Sequence, residues 1–265
     1  MIRAAVLGSP ISHSLSPLMH KCAFEKLSLQ GNYEAFDVTE DQLSNFLSSH
    51  EDMTGFSLTM PLKERAAELA DRKSARVEST GSANTLIREG NSWFAENTDS
   101  SGFDFLFRST LQVKPGEKVA IIGAGGTARA ALFAAKALGL STSVFRRSAT
   151  RDLALKKVDK DCQIHPWNEL ERSYEFDLII NATPNGALEQ ISLQLDAKAV
   201  LDSLYHPSPT DFSSQFKNAS RNISGEYLLA AQGLEQISLF TRANFDSNDL
   251  FEYLLSKLKQ ALHKD

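Results

Sequence analysis

The strongest constraint on the fold is Val119-Ala-Ile-Ile-Gly-Ala-Gly-Gly-Thr-Ala-Arg-Ala-Ala-Leu132, near the middle of the chain. Val119 to Ile122 reads as a buried strand, and the Ala-rich run after the glycines reads as a helix. Gly123, Gly125 and Ala128 match the pattern G-x-G-x-x-G/A that links strand to helix in a dinucleotide-binding unit. Gly123 permits a tight turn, and Gly125 lets backbone approach a pyrophosphate. Ala128 lets the helix pack closely on its strand. The helix start offers unpaired N–H groups and the positive end of a dipole to phosphates. Such a pattern also serves plain chain reversal, so its context has to carry the argument.

At 265 residues the chain is long enough for about two domains, and its 42% hydrophobic and 23% charged residues are those of an ordinary globular protein. A net charge of −5 gives no reason to expect nucleic acid or an anionic membrane as partner. Cys22 and Cys162 form no metal or disulfide spacing, which points to a reducing compartment, the cytoplasm. Met1-Ile-Arg-Ala-Ala-Val-Leu-Gly8 is too short an apolar run for a signal peptide and reads as a first strand. His13 and His20 lack a third ligand nearby, so no metal is expected.

Strand-like and helix-like segments alternate from the start. Strands are expected at 2–7, 33–38 and 55–60, with a strand pair at 84–87 and 93–95 turning at Gly90-Asn91. Ser16-Pro17 reads as an N-cap followed by proline at the first helical position. Thr39-Glu-Asp-Gln42 reads as a capping box. A linking helix is expected over 102–111, then a second alternation with strands at 142–145, 178–181 and 200–203. The last thirty or so residues carry Leu234, Ile237, Phe240, Leu250, Leu254 and Leu258 at helical spacing. The class is α/β.

In a unit that prefers NAD, an acidic residue about 20 positions after the glycines bonds the ribose 2′-OH. Here the next strand ends in Arg146-Arg147-Ser148, with Arg151 beyond, and no acid stands there. Guanidiniums and a hydroxyl suit a 2′-phosphate, so NADP is the expected cofactor. Three polar clusters mark strand ends in the first hundred residues: Ser12-His-Ser-Leu-Ser16, Thr59-Met-Pro-Leu-Lys63, and Asn84-Thr85 with Asn97-Thr-Asp99. Strand carboxyl ends collect ligands in α/β sheets, and this set suits a small polyhydroxylated acid and a proton transfer.

Across essentially its whole length the sequence resembles the shikimate dehydrogenase family. The resemblance is carried by Ser14-Leu-Ser16-Pro, Thr59-x-Pro-x-Lys63, Gly81-Ser-Ala-Asn84-Thr, Asn97-Thr-Asp99-x-x-Gly and Gly123-Ala-Gly-Gly. It continues through Arg146-Arg-Ser, Asn181-Ala-Thr-Pro-x-Gly, Asp202-Ser-Leu-Tyr205 and Gly225 to Gln232. It implies a substrate domain, 1–101 completed by 235–265, and a Rossmann-type, doubly wound NADP domain, 102–234. It implies Lys63 as catalytic acid/base partnered by Asp99. Ser14 and Ser16 would hold the substrate carboxylate, with Tyr205 reaching it from the other domain. Thr59, Asn84, Asp99 and Gln232 would bond ring hydroxyls. Gly123, Ala124, Gly125, Gly126, Thr127, Arg146, Arg147, Ser148, Arg151, Ser203 and Gly225 would contact NADP.

The implied reaction is NADP-dependent interconversion of 3-dehydroshikimate and shikimate, in chorismate and aromatic amino acid biosynthesis, by a monomer or homodimer. A paralogue acting on quinate or another cyclic hydroxy acid is the alternative, and a weakly active or non-catalytic NADP-binding protein a further one. Five positions depart from the family pattern: Ser57 for asparagine, Arg146 for asparagine, Ala187 for a frequent methionine, and Tyr227 and Leu228 where glycine and methionine are common. Without the resemblance, Lys63 would read as a solvent lysine at a helix start, and Asp99 as a helix cap.

Overall fold

The alternation that sets Ala4 and Val6 against Ala5 and Leu7 organises the first half of the chain. In the computed structural model, which describes residues 1–206, 210–216 and 219–263, all four are buried. Strand β1 (Ile2–Gly8) is covered on both faces, so a continuous apolar run suits it. Ala5 and Leu7 join a core with Phe56, Leu58, Leu62 and Leu86. Ala4 and Val6 join another with Phe24, Tyr33 and Phe240.

The chain divides into two compact units, Met1–Gly102 with Leu229–Asp265, and Phe103–Leu228. The first holds β1, β2 (Gly31–Asp37), β3 (Gly55–Leu58), β4 (Arg72–Lys73), β5 (Thr85–Glu89) and β6 (Ser92–Glu96) in the order β2-β1-β3-β5-β6-β4. β2, β1 and β3 run parallel, while β5 pairs antiparallel with both β3 and β6. Parallel β1 and β3 therefore send their following loops to one edge of the sheet. The last helix, Ser247–Leu262, packs on helix Ser16–Lys26. It buries Leu250, Phe251, Leu254, Leu255 and Leu258 and is capped by Asp246, whose Oδ1 accepts the Asp249 N–H at 2.8 Å.

The second unit holds β7 (Lys118–Ile122), β8 (Ser141–Arg146), β9 (Gln163–Pro166), β10 (Tyr174–Asn181), β11 (Leu195–Asp202) and β12 (Arg221–Ile223). All pair in parallel, in the order β12-β11-β10-β7-β8-β9. This is the doubly wound dinucleotide-binding order, with its reversal at β7. No helix among the described residues is long and apolar enough to cross a membrane.

Several expectations are corrected. Leu15, not Ser16, is the residue before the first helix; Ser16 is already helical, and its N–H donates to Ser14 Oγ at 3.3 Å. The Thr39 box is half made: Gln42 Oε1 accepts the Thr39 N–H at 3.0 Å, but the Thr39 hydroxyl turns to Asp41, and the helix starts at Leu43. The linking helix begins at Thr98 and continues from Leu106 to Thr110 as π-helix. The chain returns to the first unit at Leu229 rather than at 235. The reason is local: Gln232 and Gln236, on helix Gly225–Thr241, bond to Asn84, Thr85 and Thr98.

Candidate active site

In the first unit, the loops after β1 and β3 are tied together by backbone. The Thr59 N–H donates to Leu7 O at 2.9 Å and the Ser9 N–H to Met60 O at 3.0 Å. Ser14 and Ser16 stand on the first loop and Thr59 on the second. The Leu62 N–H bonds Thr59 O at 2.8 Å, closing the turn that starts helix Lys63–Leu69. Lys63 is thus the first helical residue, and its own carbonyl accepts the Ala83 N–H at 2.8 Å. That bond fixes the loop carrying Asn84 beside the lysine.

Lys63 Nζ donates to Asp99 Oδ2 at 2.5 Å, with the two side chains 18% and 9% exposed. Asp99 lies in the first turn of helix Thr98–Phe105. Its other oxygen, Oδ1, accepts from Asn84 Nδ2 at 2.8 Å. Asn84 Oδ1 accepts the Thr98 N–H at 2.7 Å and the Thr85 hydroxyl at 3.1 Å. Gln232 Oε1 accepts the Thr98 hydroxyl at 3.0 Å and Asn84 Nδ2 at 3.2 Å. Gln232 gets this close because a Cβ at Gly102 would fall 2.8 Å from its backbone nitrogen, so only glycine fits at 102. A lysine, a carboxylate and two carboxamides thus share one buried network. It can hold a hydroxylated ring by hydrogen bonds and move one proton.

In the second unit, Gly123 has φ +119°, and a Cβ there would fall 2.8 Å from Ala182 O, so glycine is required. Gly125 caps helix Gly126–Ala137 without a side-chain bond to its first turn. A Cβ at Gly125 would meet only the Arg151 guanidinium, at 3.6 Å. Arg151 Nη1 and Arg129 Nη1 both donate to Ala124 O, at 3.4 and 3.2 Å. Arg146 is forked onto Asp152, with Nε and Nη2 donating to the two carboxylate oxygens at 2.7 and 2.8 Å. The hydrogen bond to Arg146 lowers the Asp152 pKa. The departure at 146 therefore brings its own counter-ion. Arg147 lies over Trp167, 5.7 Å from the ring centroid. Ser148 Oγ accepts the Thr150 N–H at 3.3 Å.

Asp202, at the end of β11, is buried, which raises its pKa against the opposing bonds it accepts from the Thr210 hydroxyl, the Leu204 N–H and Asn181 Nδ2. These bonds shape the loop bearing Ser203 and Tyr205. The Gly225 N–H bonds Leu204 O at 3.1 Å, and Tyr227 is half-buried in the helix turn that follows.

The profile described as Shikimate dehydrogenase substrate binding domain matches residues 6–86. A shikimate dehydrogenase (NADP(+)) of Ignicoccus hospitalis is 32% identical over 262 residues, which span 96% of this chain and 98% of that one. The chain belongs to the shikimate dehydrogenase family. A second relative, a shikimate dehydrogenase (NADP(+)) of Thermus thermophilus, is 35% identical over 91% of this chain and 93% of its own. Among solved structures, the shikimate 5-dehydrogenase of another strain of that species, in complex with NADP(H) and shikimate, superposes with TM-score 0.83 at 31% identity. That match covers 97% of this chain and all of the other.

Beside these shikimate dehydrogenases, the network includes residues to which sequence reasoning gives no role. Thr85 and Thr98 lie inside the motifs, yet their hydroxyls read as ordinary strand-end polarity. Gln236 belongs to no motif, although it follows Gln232 by four residues and so lies on the same helix face. Ser57, which in sequence reads as a loss of support, is held by the Tyr33 hydroxyl at 2.6 Å and donates to Gln236 Oε1 at 3.0 Å. Tyr33 lies across β1 from β3, a neighbourhood that only the strand order reveals.

Proposed function

We propose that this chain is an NADP-dependent shikimate dehydrogenase, reversibly reducing 3-dehydroshikimate to shikimate with Lys63 as general acid and base. The observation that carries the reading is the Lys63–Asp99 contact at 2.5 Å, bonded on its far side to Asn84. Bound NADPH supplies the hydride for the ketone carbon. Lys63 Nζ gives the proton that the carbonyl oxygen gains, and takes it back in the oxidation direction. Asp99 holds the ammonium in place. Thr59, Asn84, Asp99 and Gln232 bond ring hydroxyls, and Ser14, Ser16 and Tyr205 hold the carboxylate.

The second unit suits NADP because its glycine turn opens onto a helix start free of side-chain caps, and because β8 ends in basic residues. Gly123 to Thr127, Ser203 and Gly225 follow the cofactor backbone. Arg147, Ser148 and Arg151 take the 2′-phosphate, with Arg146 contributing the edge that Asp152 leaves. Replacing Arg147 and Arg151 together by alanine should raise KM for NADP roughly tenfold to a hundredfold, the scale of lost charge-assisted bonds, and leave KM for NAD unchanged. Equal losses with both cofactors would remove these residues from phosphate recognition.

Two buried, unpaired cysteines, Cys22 and Cys162, support a cytoplasmic location. The test of the reaction is product identity. Incubation with 3-dehydroshikimate and NADPH should give shikimate, identified by mass spectrometry and chromatography. Recovery of unreacted ketone would overturn the assignment.

A further inference from the structure

Gln236 is 2% exposed, and both ends of its carboxamide are engaged. Nε2 donates to Thr85 Oγ1 at 2.9 Å and to Asn84 O at 3.3 Å. Oε1 accepts from Ser57 Oγ at 3.0 Å and lies 3.3 Å from His20 Nε2. A carboxamide has two N–H donors and two acceptor lone pairs, and here each has a partner.

Groups that can only accept or only donate set the main directions. Asn84 O can only accept, so the Gln236 amide must present Nε2 to it. Thr85 Oγ1 then accepts from Gln236, and its single proton goes to Asn84 Oδ1, 3.1 Å away. Asn84 Oδ1 is thus held as acceptor twice, by this hydroxyl and by the Thr98 N–H at 2.7 Å, so Nδ2 turns toward Asp99 Oδ1 at 2.8 Å and Asp99 Oδ2 is left to the lysine at 2.5 Å. At the other end the Tyr33 hydroxyl donates to Ser57, whose proton is thereby directed to Gln236 Oε1.

We propose that Gln236 is a positioning residue: through the Thr85 hydroxyl it reinforces, beside the Thr98 N–H, the hydrogen-bond polarity of Asn84 that aims Asp99 at Lys63. Its kinetic consequence rests on the reading of Lys63 and Asp99 as the proton-transfer pair. Gln236 touches neither of them, and its effect passes through the Thr85 hydroxyl.

The test is a double-mutant cycle with Gln236→Met, which keeps side-chain length without hydrogen bonds, and Thr85→Val, which keeps shape without the hydroxyl. Each single variant should lose about tenfold in kcat/KM for shikimate, mostly in kcat, the scale of one buried hydrogen bond. The double variant should be no worse than the poorer single one, because both cut the same relay. NADP affinity should stay at the wild-type value in all three. Multiplying losses, or wild-type kcat in either folded single variant, would overturn the relay. Should Gln236→Met not fold, Thr85→Val alone is read against wild type by the same criteria.

A second readout needs no turnover. The Asn84 side-chain amide protons, followed by NMR, should exchange with solvent faster in Thr85→Val than in wild type, and unchanged exchange would contradict the proposal. A wild-type protein inactive with shikimate would sink the functional reading alone, since the amide exchange would still report on the relay.

Discussion

Replacing Lys63 by alanine is expected to lower kcat roughly a thousandfold, within the range typical of a lost general acid or base, while KM for shikimate changes only modestly. The lysine is the ammonium bonded to Asp99, and its 18% side-chain exposure leaves it largely screened from water that could replace it. The substitution also strips a 9%-exposed carboxylate of its counter-ion, although Asn84 still donates to it. Breaking such a pair costs stability on the order of a few kcal/mol, so thermal unfolding has to be followed alongside the kinetics. Lys63→Arg separates the two effects. It keeps the charge beside Asp99, yet a guanidinium does not give up its proton at working pH, so turnover should stay low while stability recovers. A Lys63→Ala protein that turns over at close to the wild-type rate would remove the lysine from the mechanism.

The second large effect is on stability in acid. His20 is fully buried, stacked on Tyr33 at 4.0 Å between ring centroids and 6° between planes, and its Nδ1 has no hydrogen-bond partner. Burial lowers its pKa from 6.5 to about 3, against a smaller opposing push from the Gln236 bond. The folded-state value lies below the unfolded one, so between the two the unfolded chain binds the extra proton. His20 therefore contributes stability that is present above pH 6.5 and lost as pH falls toward 3. The full loss is on the order of 4 to 5 kcal/mol, a large part of a typical domain's stability. Urea unfolding between neutral pH and about pH 4 should show a steep acid limb that flattens in His20→Phe, which keeps the stack but cannot titrate. Parallel limbs in the two proteins would show that His20 is not the group responsible.

The parts of the fold that sequence makes legible are those written in one stretch. The apolar run from Ala4 to Leu7 marks a first strand, and Gly123 to Ala128 marks the strand–turn–helix of a dinucleotide-binding unit. Lys63, Asp99, Asn84 and Gln232 can be named from short motifs, and they lie in one network. What sequence hides is partnership across the fold. The unit boundary at Leu229 falls inside an unbroken helix, where no glycine or proline punctuates the change. The Arg146–Asp152 fork spans a short 3₁₀ turn, so its spacing is not one that a helix or strand period would flag. Gln236 looks like any polar residue on a helix until the antiparallel pairing of β3 with β5 sets Ser57 opposite Thr85 beside it. Ser16 fails as a cap because it is itself the first helical residue, and its own N–H donates to the Ser14 hydroxyl two residues earlier.

The measurement that bears most directly on the account is a matrix of specificity constants, with shikimate and quinate each assayed against NADP and NAD. The lysine–aspartate pair, the buried carboxamides beside it and the basic end of β8 together predict one dominant cell, shikimate with NADP. Its kcat/KM should exceed the value with NAD by roughly tenfold or more, the worth of a charge-assisted contact to the 2′-phosphate, and should exceed quinate with NADP as well. No reduction of either cofactor with either acid would contradict the account at its centre.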